Sequence, residues 1–392
     1  MKRYLKNFTF SEEYVKDRLY KCLDNKRWTR RDTSYFLAYY VRDILNKKGY
    51  KTDIHKLAKK VRLIALSDRS KLFSLVDYIA IKIYLEIRDR NISLPPIHYQ
   101  IRKDKSNGKD REIGIASIKQ QVYDYIIVGA CEKMFLAKIG KYQYASLKGK
   151  GQIFGKESIE RWIRKDTKHC TYVYKCDIKK YYPSVSKELI MKKLKRDIKN
   201  DTAIYILETL LNSYKQGLCI GSYLCQYLAN YYLSYLYHYL DEKPCISHKL
   251  FYMDDLILFS PNKREFKKTI ILLKEFLKEL GLRVKENELL FKLDSRDIDM
   301  MGYKINRKVT TIRKRIFIRA NRLYKSIRNE ISLIQAYRCI SYFGYFKHSN
   351  SFKYLRQNKI YKKIKKAKEK VSYETKNNFN ARIASIYVSN FT

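Results

Sequence analysis

Three aspartates carry the chemistry this sequence offers. Asp254 and Asp255 stand side by side in Leu250-Phe251-Tyr252-Met253-Asp254-Asp255-Leu256-Ile257-Leu258-Phe259-Ser260, with apolar, β-prone residues on both flanks. Asp177 closes a second β-rich run, Thr171-Tyr172-Val173-Tyr174-Lys175-Cys176-Asp177. Burying neighbouring like charges is costly unless a cation neutralises them. Carboxylate oxygens are the donors that hard divalent cations such as Mg²⁺ take. One strand-end carboxylate plus a strand-turn pair can build a two-metal site, in which one ion activates an attacking hydroxyl and both stabilise in-line displacement at phosphorus. None of the six histidines falls in either segment. A solvated Asp-Asp turn without ligand is the competing reading, and the apolar frame and the third acid weigh against it.

The elements that must position these acids can be read from local pattern. Leu250–Ser260 reads as two buried strands joined by a tight turn with acid at its tip. Thr171–Asp177 reads as a strand, followed by a turn that Pro183 closes. Lys263 to Leu280 is an amphipathic helix with Phe266, Ile270, Leu273, Leu277 and Leu280 on one face and Gly281 as its cap, suited to pack beneath the strands. Residues 99–115 read as a hairpin, Tyr99–Lys103 and Arg111–Ile113 flanking a polar turn that contains Asn107-Gly108. Residues 116–170 are largely helical, as are 186–215. Residues 1–98 look helical and carry no catalytic motif; the clearest helices are Phe36–Leu45 and Leu72–Ile81, and Pro95-Pro96 marks the boundary.

Composition bounds the partners. With 392 residues the chain is long enough for two or three compact substructures. Lys and Arg outnumber Asp and Glu by 84 to 39, a formal charge of +45. Such a surface repels itself unless it meets a polyanion, and nucleic acid is the first candidate. A membrane surface is the alternative, but no apolar run approaches the ~20 residues of a spanning helix, and the first residues lead into no signal-peptide core. An AT-rich coding sequence is a further source of the Lys and Tyr excess. The eight cysteines show no Cys-x-x-Cys and no zinc spacing, which points to a reduced, cytoplasmic protein without a structural metal.

On these segments the chain resembles the reverse transcriptases of prokaryotes, the group II intron, retron and diversity-generating retroelement lineage, including phage-defence enzymes. Asp177-Ile178-Lys179-Lys180-Tyr181-Tyr182-Pro183-Ser184-Val185 and Tyr252-Met253-Asp254-Asp255 look like the catalytic motifs. In order along the chain, Gln143–Gly151 resembles a fingers motif, and Gln216–Gly221 with Gln226–Asn230 the template-contacting loop and helix. Gly281–Val284 resembles the motif that follows the catalytic turn, and Asp297–Tyr303 the primer-grip region. The likeness covers roughly residues 100–350.

The resemblance implies an α+β right-hand polymerase with fingers, palm and thumb and a helical N-terminal extension. Its segments would be 1–98 for the extension, 99–170 for the fingers, 171–305 for the palm with fingers helices inserted at about 186–215, and 306–392 for a basic helical thumb and C-terminal tail. It implies RNA-directed DNA synthesis from deoxynucleotide triphosphates with two Mg²⁺ ions, Mn²⁺ being a substitute. Asp177 and Asp254 would bind both ions, Asp255 would support them, and the Ile178 backbone would border the metal-bound triphosphate. Arg102, Lys103 and Arg111 would close over the nucleotide. Tyr182 would exclude a 2′-hydroxyl by a clash, rejection rather than attraction, and Gln226 would lie near the template base. Arg313, Lys314, Arg315, Lys347 and Lys353, interleaved with Tyr and Phe, would grip the primer–template duplex. For each of these a core tyrosine, a generic amide or a solvated charged face is the plainer reading.

Three positions depart from the family pattern. Cys219 stands where proline is usual, Cys225 where serine is usual, and Glu288 near the place of a lysine expected to assist the leaving pyrophosphate; Lys285 or Lys292 would substitute. These substitutions favour a defence enzyme with its own noncoding RNA over a diversity-generating one. A non-catalytic RNA-binding scaffold is the alternative of another class. An accessory protein or a second copy of the chain completes the expected partners.

Overall fold

Strict alternation of side chains about a pleated strand places Val173, Lys175 and Asp177 on one face of their segment and Tyr172, Tyr174 and Cys176 on the other. A computed structural model describes residues 3–26, 28–103, 108, 110–327 and 330–388. Among the described residues that segment is one of nine strands. They are β1 (His98–Lys103), β2 (Asp110–Ile115), β3 (Tyr172–Asp177), β4 (His248–Tyr252), β5 (Asp255–Ser260), β6 (Leu289–Lys292), β7 (Ile298–Met300), β8 (Tyr303–Ile305) and β9 (Thr310–Ile312). Helices and strands are mixed, an α+β arrangement preceded by a helical N-terminal part.

The chain divides into two compact units. The first comprises residues 1–140, 179–237 and 276–282. Its N-terminal part is helical, with Glu12–Lys26, Arg31–Lys47, Ile54–Ser67 and Phe73–Arg88 in sequence. The two helices read there from periodicity are present and longer than the local pattern marks. Helix Ile118–Lys138 is also in this unit, packing against Glu12–Lys26. β1 and β2 form the expected hairpin, with Arg102 paired to Arg111 across it. Asn107 of its turn lies outside the described residues, while Gly108 takes φ +76°. Helices Lys187–Asp197 and Asp201–Asn212 fill the stretch read as inserted helices.

The second unit comprises residues 141–178, 238–275 and 283–392. It holds a four-stranded antiparallel sheet of order β4-β5-β3-β6 and a three-stranded sheet of order β7-β8-β9. Residues 99–170 and 171–305 each contribute to both units, whereas residues 306–392 lie wholly in the second. One face of the larger sheet packs Val173, Leu250, Ile257 and Phe259 against Trp162 and Ile159 of helix Gln152–Lys165 and against Ile298, Met300 and Tyr303. On the other face Phe266, from helix Lys263–Glu279, meets Tyr174 ring to edge at 6.3 Å. Each such buried ring stabilises by about 2–3 kcal/mol. The helix ends as its sequence indicates, with Gly281 at φ +71° and Leu282 N–H bonded to the Leu277 carbonyl.

The basic C-terminal part forms helices Lys314–Ser326, Leu333–Lys347, Phe352–Gln357 and Ile360–Val388 around a core that includes Leu323, Tyr324, Phe346 and Leu355. None of the described helices is long and apolar enough to cross a membrane.

Candidate functional site

The carboxylates meet because β3 and β5 pair in register. Asp177 lies directly opposite Asp255, at the end of both strands. Cross-strand partners share a face, so the two carboxylates point to the same side. β4 and β5 are joined through the two residues Met253 and Asp254, with Tyr252 and Asp255 as the closing pair. Met253 takes φ +57°, a conformation that costs an L-residue about 1 kcal/mol. The turn is held in place from outside: Ile178 N–H donates to the Asp254 carbonyl at 3.0 Å. Asp254 is thereby held in the turn beside the two strand-end acids, close enough for both charges to act on its carboxyl.

This end of the sheet is short of positive charge. Burial, together with the charges of Asp177 and Asp255, pushes the Asp254 carboxyl up to about 7. Burial also raises Asp255, opposed by Lys175, Lys285 and Arg313. The segment after Gly281 supplies the nearest cation. Val284 bridges to Ile178, Lys285 N–H donates to the Asp177 carbonyl at 2.8 Å, and the Lys285 ammonium forms an ion pair with the Asp177 carboxylate. Among the described residues no three His, Cys, Asp or Glu side chains already converge as a metal cluster. The donor set nonetheless fits hard cations: it is all oxygen, partly buried, and carries more negative charge than Lys285 neutralises.

Of the two lysines suggested in place of Glu288, only Lys285 lies at the acids. Lys292 pairs with Tyr172 at the opposite end of β3. Glu288 itself is occupied. Burial acts to raise its carboxyl, but hydrogen bonds from Lys274 and from the Tyr174 hydroxyl at 2.6 Å outweigh it and hold the group below the usual range.

The other singled-out residues fall in different places. Tyr182 lies in a short turn of helix, Tyr181–Ser184, that follows a left-handed Lys180. Leu218 N–H donates to its carbonyl at 2.9 Å. Gly217 sits so close that a Cβ there would lie 2.5 Å from that same oxygen, so the Gln216–Gly221 loop and the Tyr182–Pro183 turn are fitted backbone to backbone. The two unusual cysteines are partners: Cys219 N–H donates to the Cys225 sulfur at 3.2 Å. A proline at 219 would have no N–H to give, which makes the pair of substitutions a unit. The same loop lies on the hairpin, where Gly114 N–H donates to the Ile220 carbonyl at 2.9 Å. Gln226 is half-buried on helix Tyr223–Asp241. Arg102, Lys103 and Arg111 are exposed on the hairpin, and like charges set directly opposite each other, as Arg102 and Arg111 are, suit an anion.

In the second unit Arg313 is committed to Asp299, its Nε 2.6 Å from the carboxylate. It ties β7 to the start of helix Lys314–Ser326 and is not open to a phosphate as it stands. Lys314, Arg315, Lys347 and Lys353 are exposed and form no ion pair with a described residue. The fingers-like motif has a partner that local pattern does not reveal: Tyr144 N–H donates to the Phe251 carbonyl, and Phe251 N–H to the Tyr142 carbonyl, both at 3.0 Å. Gln143, almost fully buried, therefore extends the sheet beside β4. Lys175, which opposes the charge on Asp255, escapes a reading by motif although it lies two residues before Asp177 on the same strand face; period-2 alternation is the signal that finds it.

A family model described as reverse transcriptase (RNA-dependent DNA polymerase) matches residues 101–305. No relative is found among curated proteins. Among solved structures, the chain is similar to apo telomerase from Candida tropicalis truncated from its C-terminal domain, with a TM-score of 0.43 and 14% identity over 66% of this chain and 69% of that one. It is similar also to telomerase from Candida albicans in complex with a fragment of telomeric RNA, with a TM-score of 0.45 and 12% identity over 76% of this chain and 56% of that one.

Proposed function

The chain belongs to the reverse transcriptase (RNA-dependent DNA polymerase) family, and from that premise we propose that Asp177, Asp254 and Asp255 are the carboxylates at which it adds deoxynucleotides to a primer on an RNA template. The observation that carries this reading is the register of β3 and β5, which sets two acids opposite each other, with Asp254 next to them in the turn that joins β4 and β5. Bound there, two divalent ions, Mg²⁺ or Mn²⁺, would activate the primer hydroxyl and stabilise charge at the transferring phosphorus.

The chain's own residues hold and orient. Asp177 and Asp254 offer the oxygens, Asp255 supports from across the strand, and the Ile178 backbone fixes the turn. Lys285, already on the Asp177 carboxylate, has its ammonium where negative charge concentrates and replaces the lysine that Glu288 cannot supply. Tyr182, five residues beyond Asp177, serves as the steric gate against a 2′-hydroxyl. Arg102, Lys103 and Arg111 receive the triphosphate, Gln226 the template base, and Lys314, Arg315, Lys347 and Lys353 the duplex. In domain terms, residues 99–170 act as fingers, 171–305 as palm and 306–392 as thumb.

The biological setting we propose is cytoplasmic anti-phage defence with a cognate structured noncoding RNA as template, supported by the paired Cys219–Cys225 substitution and by Glu288. Purified Asp254→Asn with Asp255→Asn is the test. Deoxynucleotide incorporation on an RNA template should fall by roughly 10³-fold or more, the scale of losing electrostatic stabilisation at a reacting centre, with RNA affinity unchanged. Incorporation that survives in this variant would remove the three acids from the chemistry.

A further inference from the structure

Helix Ile54–Ser67, in the extension that precedes the family-matched residues, carries its charge differently from its neighbours. Helices Glu12–Lys26 and Arg31–Lys47 neutralise lysines with acids one turn away, as Lys21 with Asp17 and Lys47 with Asp43. Lys16 of the first is neutralised by Asp77 of a third helix. Between residues 48 and 62 stand Lys48, Lys51, Lys56, Lys59, Lys60 and Arg62, against a single acid, Asp53. That acid is spent as the helix N-cap, accepting from His55 N–H at 2.6 Å. All six cations are exposed, and none forms an ion pair with a described residue.

Helical spacing sharpens the imbalance. At 100° per residue Lys56, Lys59, Lys60 and Arg62 share the outward arc, while the buried Ala58 and Val61 share the inward one. Lys56 and Lys60 form an i,i+4 like-charge pair, and Lys56–Lys59 and Lys59–Arg62 form i,i+3 pairs. Each such pair is destabilising in isolation. A face that is merely solvated has no need of three of them without one interposed acid. Tyr50, which precedes the helix, is 63% exposed and offers a ring for a base to stack on.

We infer that this face is a second RNA-binding surface, which takes the phosphate backbone of an RNA outside the catalytic site. Regularly spaced cations without acids match a chain of phosphates whose released counterions supply the binding energy. A membrane fits less well, because an interfacial helix must insert its apolar arc, and here that arc is turned into the protein. The choice of RNA over other polyanions rests on the polymerase reading above.

The test compares full-length wild type with Lys56→Gln, Lys59→Gln, Lys60→Gln and Arg62→Gln combined. Binding to a long structured RNA is measured without nucleotides across a salt series, beside duplex DNA and phosphatidylserine vesicles. A control variant neutralises Lys263, Arg264, Lys267 and Lys278, four exposed cations on another helix. The patch variant should lose at least tenfold in RNA affinity, and its log–log salt slope should shrink by roughly 3, near 0.7–0.9 for each phosphate no longer neutralised. The control should change less than threefold. Extension of a short annealed primer–template should be unaffected, and the melting temperature should hold or rise as repulsion is relieved. Should the combined variant unfold, Lys56→Gln with Lys60→Gln is read in its place, with half the slope change expected. Unchanged RNA binding overturns the proposal, as does an equal loss in the control or a loss confined to vesicles or DNA. A wild type that binds RNA here but incorporates nothing would fail the polymerase reading and leave this result standing.

Discussion

The end of the four-stranded sheet that holds Asp177, Asp254 and Asp255 and the outer face of helix Ile54–Ser67 are unbalanced in opposite directions. Asp177, Asp254 and Asp255 have too few cations beside them, and Lys56, Lys59, Lys60 and Arg62 form no ion pair with a described residue. Their surroundings differ as much as their signs. The acids are partly buried on a backbone that ladder pairing and turn bonds hold in place, so their deficit suits compact cations at set positions. The lysines stand in water on flexible stems, where charge is screened within about 10 Å at 0.1 M salt, so their excess suits a diffuse polyanion and a salt-sensitive grip. Unbalanced charge is thus what supports a ligand proposal in both regions, and burial distinguishes the kind proposed.

After the loss expected of the Asp254 and Asp255 variant, the next largest effect sharpens the partly buried side of that contrast. If the site is fitted sterically as well as electrically, Tyr182→Ala should lower the preference for deoxy- over ribonucleotides by roughly tenfold to a hundredfold, the range for reshaping a pocket by one group. The measurement is the ratio of incorporation efficiencies in wild type and variant. An unchanged ratio with activity retained would make Tyr182 a packing residue fitted against Gly217.

A second effect probes the exposed kind of charge elsewhere. Neutralising Arg313, Lys314 and Arg315 should reduce the salt slope of duplex binding by roughly 1.4–1.8, the share of two phosphates and not three, because Arg313 is held by Asp299. A slope change of three phosphates in a salt titration would show that Arg313 leaves Asp299 for the nucleic acid.

The smallest effect concerns stability. Asp254 has its folded pKa raised to about 7, above the ordinary carboxylate value of 3.8. The folded state therefore holds a proton that the unfolded chain releases, and stability falls as pH rises across that window. Asp254→Asn should then raise the melting temperature of the metal-free protein at pH 8, by about 2 °C for each kcal/mol relieved, and change little at pH 4. A variant that melts lower at pH 8 would show that the carboxylate is structural.

Much of this arrangement was legible in sequence. The apolar, β-prone runs Thr171–Asp177 and Leu250–Ser260 marked β3, β4 and β5, and the Asp-Asp pair marked the turn, because apolar residues frame it without interruption. The periodicity of Lys263–Leu280 and its glycine cap were equally direct. What stayed hidden depends on neighbours distant in sequence. Lys285 reaches Asp177 only because Val284 bridges to Ile178. Gln143 joins the sheet through Phe251, and β9 is three residues set among arginines and lysines, too short for a period to show. The Cys219–Cys225 bond was invisible for the same reason: two substitutions read separately are one hydrogen bond in the fold.

The central proposal is that Asp177, Asp254 and Asp255 hold divalent metal. Mn²⁺ uptake at pH 8, counted by electron paramagnetic resonance in the full-length protein, tests it without any reliance on activity. Wild type should take up Mn²⁺, and Asp177→Asn with Asp254→Asn should weaken uptake at least tenfold while RNA affinity is kept. Equal uptake by the two proteins would contradict the claim.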